Sequence, residues 1–308
     1  MRCRCWLSVG LGFLLLWGSG GVWALGSACA QEPDRRVGMV LAQFEEARAL
    51  AVDPRGRLYV AEAGRDVIGI FEADGTRRNA LGGAGTRPGE FDAPSDMDPT
   101  NGQLLLVADT YNGRLQRFST EGQYLESMPI GPTERRTGGE WTFQERRSGA
   151  PVQGQGRPIE VARDDEGAVF VLDAHGRRVW KWSDLGQSET LVPGRDGRLQ
   201  DPVAMAVGAD GRLYVADAGG DAVFVYDTFG TFRRRVLGGS LPALQALTVH
   251  RGQLWIVCAR RVLVWDRTEG IVAEHTVDLS EPLVDVAVHG NRVYLLTETR
   301  LLRRAAWE

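Results

Sequence analysis

Over most of the chain apolar and polar residues alternate with a period of two rather than 3.6. Val203-Ala204-Met205-Ala206-Val207 leads into an Ala209-Asp210-Gly211 turn, and Leu213 to Ala216, Ala222 to Tyr226 and Phe232 to Leu237 follow, each set off by Gly or Asp. The pattern predicts a four-stranded antiparallel meander, because Asp and Gly supply the positive φ that tight hairpins need. No stretch beyond the first thirty residues carries a helical period.

The meander recurs. Gly56-Arg57-Leu58-Tyr59-Val60-Ala61-Glu62 and Gly211-Arg212-Leu213-Tyr214-Val215-Ala216-Asp217 are near-identical, and weaker copies start at Gly102, Gly167, Gly252 and Asn291. Successive spacings of 46, 65, 44, 41 and 39 residues define a unit of the size used by blades or solenoids. Four-stranded units repeated radially predict an all-β chain, a six-bladed β-propeller of four-stranded antiparallel sheets. The last unit has room for only two strands after Asn291, and Arg36 to Gln43 forms a strand that belongs to no unit. Pairing these deficits closes the ring through the N-terminal strand and sets the propeller at residues 37–308.

The second unit carries Pro88-Gly89-Glu90-Phe91-Asp92-Ala93-Pro94, then Val107-Ala108-Asp109-Thr110-Tyr111-Asn112-Gly113-Arg114-Leu115-Gln116-Arg117-Phe118, and closes on Thr120-Glu121-Gly122. On these residues the chain resembles the NHL-repeat propellers, persuasively in units one to four and weakly in five and six, where Cys258 and Thr297 replace the acid. The resemblance implies a scaffold rather than a chemistry, since such folds include RNA-binding domains, receptor-kinase sensors and an amidating lyase, with lactonases among related six-bladed propellers.

Composition narrows the classes. A net charge of −4 with 25% charged residues gives no basic stripe to displace counterions from phosphates, so nucleic acid is not an expected partner. Lys181 is the single lysine among 36 basic residues, and its place between Trp180 and Trp182 on a third strand suggests a surface residue rather than a nucleophile. Arg2 and Arg4 precede a charge-free apolar run from Trp6 to Leu25 that ends in Gly26-Ser27-Ala28-Cys29-Ala30. Residues 1–30 therefore read as an export leader, cleaved before Gln31 or lipidated at Cys29, with an uncleaved membrane anchor as a third outcome. All three place the body outside the cytoplasm, periplasmic or secreted. Cys258 reads as a small buried strand hydrophobe, and no disulfide framework is expected.

Candidate chemistry falls into three groups. Glu62, Asp109, Asp173 and Asp217 end the second strand of their units, where acids cap tight turns. On the innermost strands Glu160 and Asp285 occupy positions filled by Ala49, Ala204 and Ala246, with Asp96 close by and of uncertain facing, because the pleat alternates. Three carboxylates at a tunnel mouth would suit a divalent cation such as calcium; solvated or arginine-paired carboxylates are the plainer alternative. His250 and His289 sit in equivalent turns, His275 on an outer strand and His175 on the opposite face, too dispersed for one zinc centre.

The third group lies in the one insertion, about 132–157, where Arg135, Arg136, Trp141, Phe143, Arg146 and Arg147 combine aromatics with arginine, a composition favoured at interface hot spots. Connecting an outer strand to the next inner one, it is expected to share a face with Arg65, Arg114, Arg177 and Arg178. With no nucleophile elbow, zincin helix or phosphate loop, the sequence points to a non-catalytic exported propeller that needs no cofactor and binds a protein, peptide or glycan through this face. The alternative is a metal-dependent lactonase or lyase using Asp96, Glu160 and Asp285.

Overall fold

The computed structural model describes residues 38–131, 156–182, 188–194, 197–237, 243–305 and 307. Six antiparallel four-stranded sheets follow one another along the chain. Blade 1 is β2 (Ala47–Val52), β3 (Leu58–Glu62), β4 (Val67–Phe71) and β5 (Arg77–Gly82). Blade 2 is β6 (Pro94–Asp98), β7 (Leu104–Asp109), β8 (Arg114–Ser119) and β9 (Tyr124–Pro129). Blade 3 is β10 (Pro158–Arg163), β11 (Val169–Asp173), β12 (Arg178–Trp182) and β13 (Ser188–Val192). Blade 4 is β14 (Pro202–Val207), β15 (Leu213–Asp217), β16 (Ala222–Tyr226) and β17 (Phe232–Val236). Blade 5 is β18 (Leu244–His250), β19 (Gln253–Cys258), β20 (Arg261–Asp266) and β21 (Gly270–Thr276). Blade 6 is β22 (Leu283–His289), β23 (Arg292–Thr297) and β24 (Arg300–Ala305), completed on its outer edge by β1 (Met39–Gln43).

The first strand of each blade packs against that of the next, and β22 returns to β2. The expected seam is present: β1 runs antiparallel to β24, with Met39 opposite Arg303 and Gln43 opposite Arg300. This joins the two ends of the propeller and covers an edge that would otherwise be open.

The apolar core is divided among the blade interfaces rather than gathered at one centre. Tyr59, Phe91 and Phe118 fill the gap between blades 1 and 2, Leu115, Val171 and Trp182 that between 2 and 3, and Phe170, Val215 and Tyr226 that between 3 and 4. Tyr214 and Trp265 sit between blades 4 and 5, Val257 and Val293 between 5 and 6, and Phe71 and Tyr294 across the seam. The second strands β3, β11 and β15, with blades on both faces, are buried at every position and read as continuous apolar runs, whereas the outer strands β5, β17 and β21 are mostly exposed and carry the polar residues. Cys258 is a buried free thiol within this core.

The repeat weakens in blades 5 and 6 for a local reason. Val52 pairs with Leu58 and Val207 with Leu213 across five-residue turns, whereas His250 pairs with Gln253 and His289 with Arg292 across two. In blade 5 both loop residues, Arg251 and Gly252, take positive φ (52° and 77°), the primed geometry of a two-residue hairpin. In blade 6 the left-handed residue is Gly290 rather than Asn291, one position before the expected landmark.

Candidate active site

Every first strand carries the same irregularity near its start. Ala49, Asp96, Glu160, Ala204, Ala246 and Asp285 lie opposite Ala61, Ala108, Leu172, Ala216, Val257 and Leu296, each immediately after a register shift of one residue. A bulge re-aims the side chains that follow it, so all six positions share one orientation. The facing of Asp96 is thereby settled: it stands in register with Glu160 and Asp285. Three carboxylates thus replace three alanines around the ring of first strands.

Each carboxylate reaches into the neighbouring blade. Asp96 accepts the amide N–H of Val161 at 2.7 Å, joining blades 2 and 3. Asp285 accepts the N–H of Leu50 at 2.8 Å, joining blades 6 and 1, and that of Val286 at 2.7 Å. Glu160 draws on the N–H of Met205 in blade 4. Beside Asp96, the Thr110 hydroxyl donates to Ser95 Oγ at 2.8 Å, and Ser95 donates to the Ile159 carbonyl at 2.8 Å.

The electrostatics follow from this crowding. Burial raises the proton affinity of all three groups, because the charged form loses hydration. Asp285 is pushed up to about 7, opposed by its two amide donors. Asp96 is raised well above the usual carboxylate range by burial, with the Asp285 charge adding to it against the Val161 amide, and Glu160 is raised similarly by burial and then by Asp96 and Asp285. The set therefore combines one carboxylate balanced near 7 with two whose proton affinity is raised by burial and by one another's charge.

The donor type suits a hard divalent cation, but the placement does not close such a site. Among the described residues no three acidic, histidine or cysteine side chains come together to hold one ion, and Asp96, Glu160 and Asp285 stand on three separate strands, each turned toward an amide. What the arrangement can do as it stands is accept and donate protons.

The acids that end the second strands are latches. Asp173 accepts the N–H of Gly176 in its own turn and of Arg157 at the entry to β10; Asp217 accepts those of Gly220, Gln200 and Asp201. Asp109 accepts the Asp92 N–H at 2.8 Å and pairs with Arg114 at 2.7 Å, both side chains fully buried. Arg114 in turn donates to the carbonyls of Thr86, Arg87 and Glu90, pinning the connection from blade 1 to blade 2. Arg114 is thus no part of an exposed binding face, contrary to the expectation from its loop. Glu62 pairs with Arg77 at 2.8 Å.

Of the remaining sequence candidates, Arg177 is exposed, with a left-handed backbone (φ 49°) in the β11–β12 turn. Arg135, Arg136, Trp141, Phe143, Arg146 and Arg147 lie outside the described residues. Lys181 is half-buried, its ammonium 5.4 Å from the Phe170 ring centroid, rather than freely exposed. His250 and His289 occupy equivalent strand ends, while His275 stacks on Trp307 at 4.4 Å.

No protein-family model matches the chain, and no curated protein matches it in sequence. The NHL pattern therefore has no family match behind it, and the likeness to known proteins lies in the fold. A streptogramin B lyase superposes with a TM-score of 0.61 at 12% identity, covering 83% of this chain and 78% of that one. A gluconolactonase from Xanthomonas campestris gives a TM-score of 0.61 at 14% identity over 86% and 88% of the two chains. A luciferin-regenerating enzyme gives 0.62 at 12% identity over 87% and 94%. These neighbours are enzymes, and they overturn the expectation of a non-catalytic propeller that only binds a protein, peptide or glycan. At such identities what is shared is the fold, and the named activities belong to those proteins.

Proposed function

We propose that this chain is an enzyme of the lactonase or lyase type, working at the ring of first strands through Asp96, Glu160 and Asp285. The observation that carries the reading is the set of three buried carboxylates at one register of the first strands, where the other three blades have alanine, all with proton affinity raised and Asp285 brought to about 7. Carboxyl groups raised toward neutrality in one buried set can serve as base and as acid. Asp285, balanced near neutrality, takes a proton from the water that attacks the ester carbon of a small lactone. Glu160 or Asp96, whose hold on a proton burial strengthens, then gives a proton to the ring oxygen as the carbon–oxygen bond breaks. The burial that raises these affinities also excludes competing water.

The enzyme neighbours support the reading, and the export leader adds a site of action outside the cytoplasm. The NHL-type repeat pattern remains our assignment for the ancestry of the blades. In the test, the purified chain is offered five- and six-membered lactones while acid release is followed by pH-stat. The account expects opening, reduced about 10²- to 10⁴-fold in Asp285→Asn and Glu160→Gln. A product heavier by one water assigns a lactonase, and a product with a new double bond a lyase. No turnover of any lactone, or equal turnover in both variants, contradicts the proposal.

A further inference from the structure

Blades 4 and 5 enclose a cleft of about 470 Å³ at the strand ends opposite to Asp217, away from the tunnel carboxylates. Its floor is the T-shaped pair of Tyr214 and Trp265, both buried, with ring centroids 6.3 Å apart. Arg212, Arg233, Arg234 and Arg267 line its walls. Two carboxylates face these four guanidiniums. Asp210 pairs with Arg212 and lies 3.8 Å from Arg267, and Asp227 pairs with Arg233 at 2.6 Å. Arg234 is held 4.8 Å over the Trp265 ring and donates to the Arg267 carbonyl at 3.2 Å. The cleft carries two positive charges in excess.

The repeat does not demand this arrangement. The position of Arg267, two residues after the aromatic at or next to the end of the third strand, is Ala73 in blade 1, Thr120 in blade 2 and Thr228 in blade 4. Charge on the outer strand β17 discourages edge pairing, which accounts for Arg233 and Arg235. It does not account for Arg234, opposite Val225 on the face turned to blade 5, or for Arg212 and Arg267 arriving from two other elements. Like charges brought together at a half-enclosed site repel one another unless an anion joins them.

We infer that this cleft is a binding site for a soluble phosphate ester, held by the guanidinium forks of Arg234 and Arg267 with Arg212 and Arg233 at its sides. Planar forks match the oxygens of a phosphate two at a time, and the buried aromatic pair beneath, with the Arg234 guanidinium held over the Trp265 ring, fixes one fork in place. The site is independent of the tunnel and of the reaction proposed there.

Calorimetric titration of the full chain with inorganic pyrophosphate at low salt is the test. Wild type is expected to bind, and Arg234→Gln with Arg267→Gln is expected to weaken binding about tenfold or more. Arg78→Gln, an exposed arginine paired with Glu72 on the outer strand of blade 1, is expected to leave binding unchanged. The single variant Arg267→Glu, at a side chain 55% exposed, repeats the test at a position the fold does not depend on. Absence of binding to wild type, equal weakening by Arg78→Gln, or binding only to phosphatidic acid vesicles overturns the proposal.

Discussion

Replacing Asp285 by Asn separates the cost of its charge from the worth of its hydrogen bonds. In the folded chain its acidity is displaced from 3.8 to about 7, a difference worth about 4 kcal/mol at full ionisation. The sign is set by linkage: a carboxyl whose folded pKa is raised favours the native state while protonated, and that contribution is lost as pH rises from about 4 through 7. Asn carries no charge at either extreme. Its single side-chain oxygen can keep the Leu50 amide but not the Val286 amide as well, a loss of about 1 kcal/mol. Urea unfolding from pH 4.5 to 8.5 should therefore find Asp285→Asn slightly less stable than wild type at the acid end and more stable by about 3 kcal/mol at the alkaline end. A stability difference that does not change with pH, or one that favours wild type at high pH, refutes the claim that burial raises this carboxyl.

Other substitutions test the frame around the site. Arg114→Met strands the buried Asp109 charge and three loop carbonyls and should cost about 3–5 kcal/mol in chemical denaturation, far more than a surface arginine. Gly69→Ala drives a methyl group into Glu62 Oε1 and to 2.7 Å from the Phe71 ring; overpacking of about 1–3 kcal/mol should appear as a lowered Tm. Deleting the chain through Gln43 removes the partner of β24. Hydrogen exchange should then show lost protection first in β24 and β23, whereas uniform loss across all blades would mean the seam does not localise closure.

The six blades and their closure were legible because radial repetition writes the same turn chemistry into each unit, and a spare strand at one end matches a missing one at the other. The tunnel carboxylates were legible for a related reason: against Ala49, Ala204 and Ala246, an acid at the same register is conspicuous. Their chemistry was less so. The bulge that sets the facing of Asp96 leaves no mark in residue type, and the raised proton affinities come from burial among several blades, tempered by the amides of Leu50, Val161 and Met205 from neighbouring blades, which no single segment records. Arg114 misled because an arginine next to a turn reads as exposed, while its burial depends on a connection more than twenty residues earlier in the chain. The arginine cleft escaped notice because its members come from three strand ends of two blades, and only Arg233 and Arg234 are neighbours in sequence. The enzymatic reading was only the alternative in the sequence, because proton-transferring carboxylates on separate strands form no linear motif, and the enzyme folds that resemble this one favour it over the binding reading.

The most direct test of the account is the pH dependence of kcat/KM for lactone opening. With Asp285 as base and Glu160 or Asp96 as acid, the rate should climb as Asp285 ionises around pH 7 and fall again once its protonated partner is lost. Asp285→Asn should erase the climb. A profile flat across this range, or a climb that survives in Asp285→Asn, would place the chemistry elsewhere in the molecule.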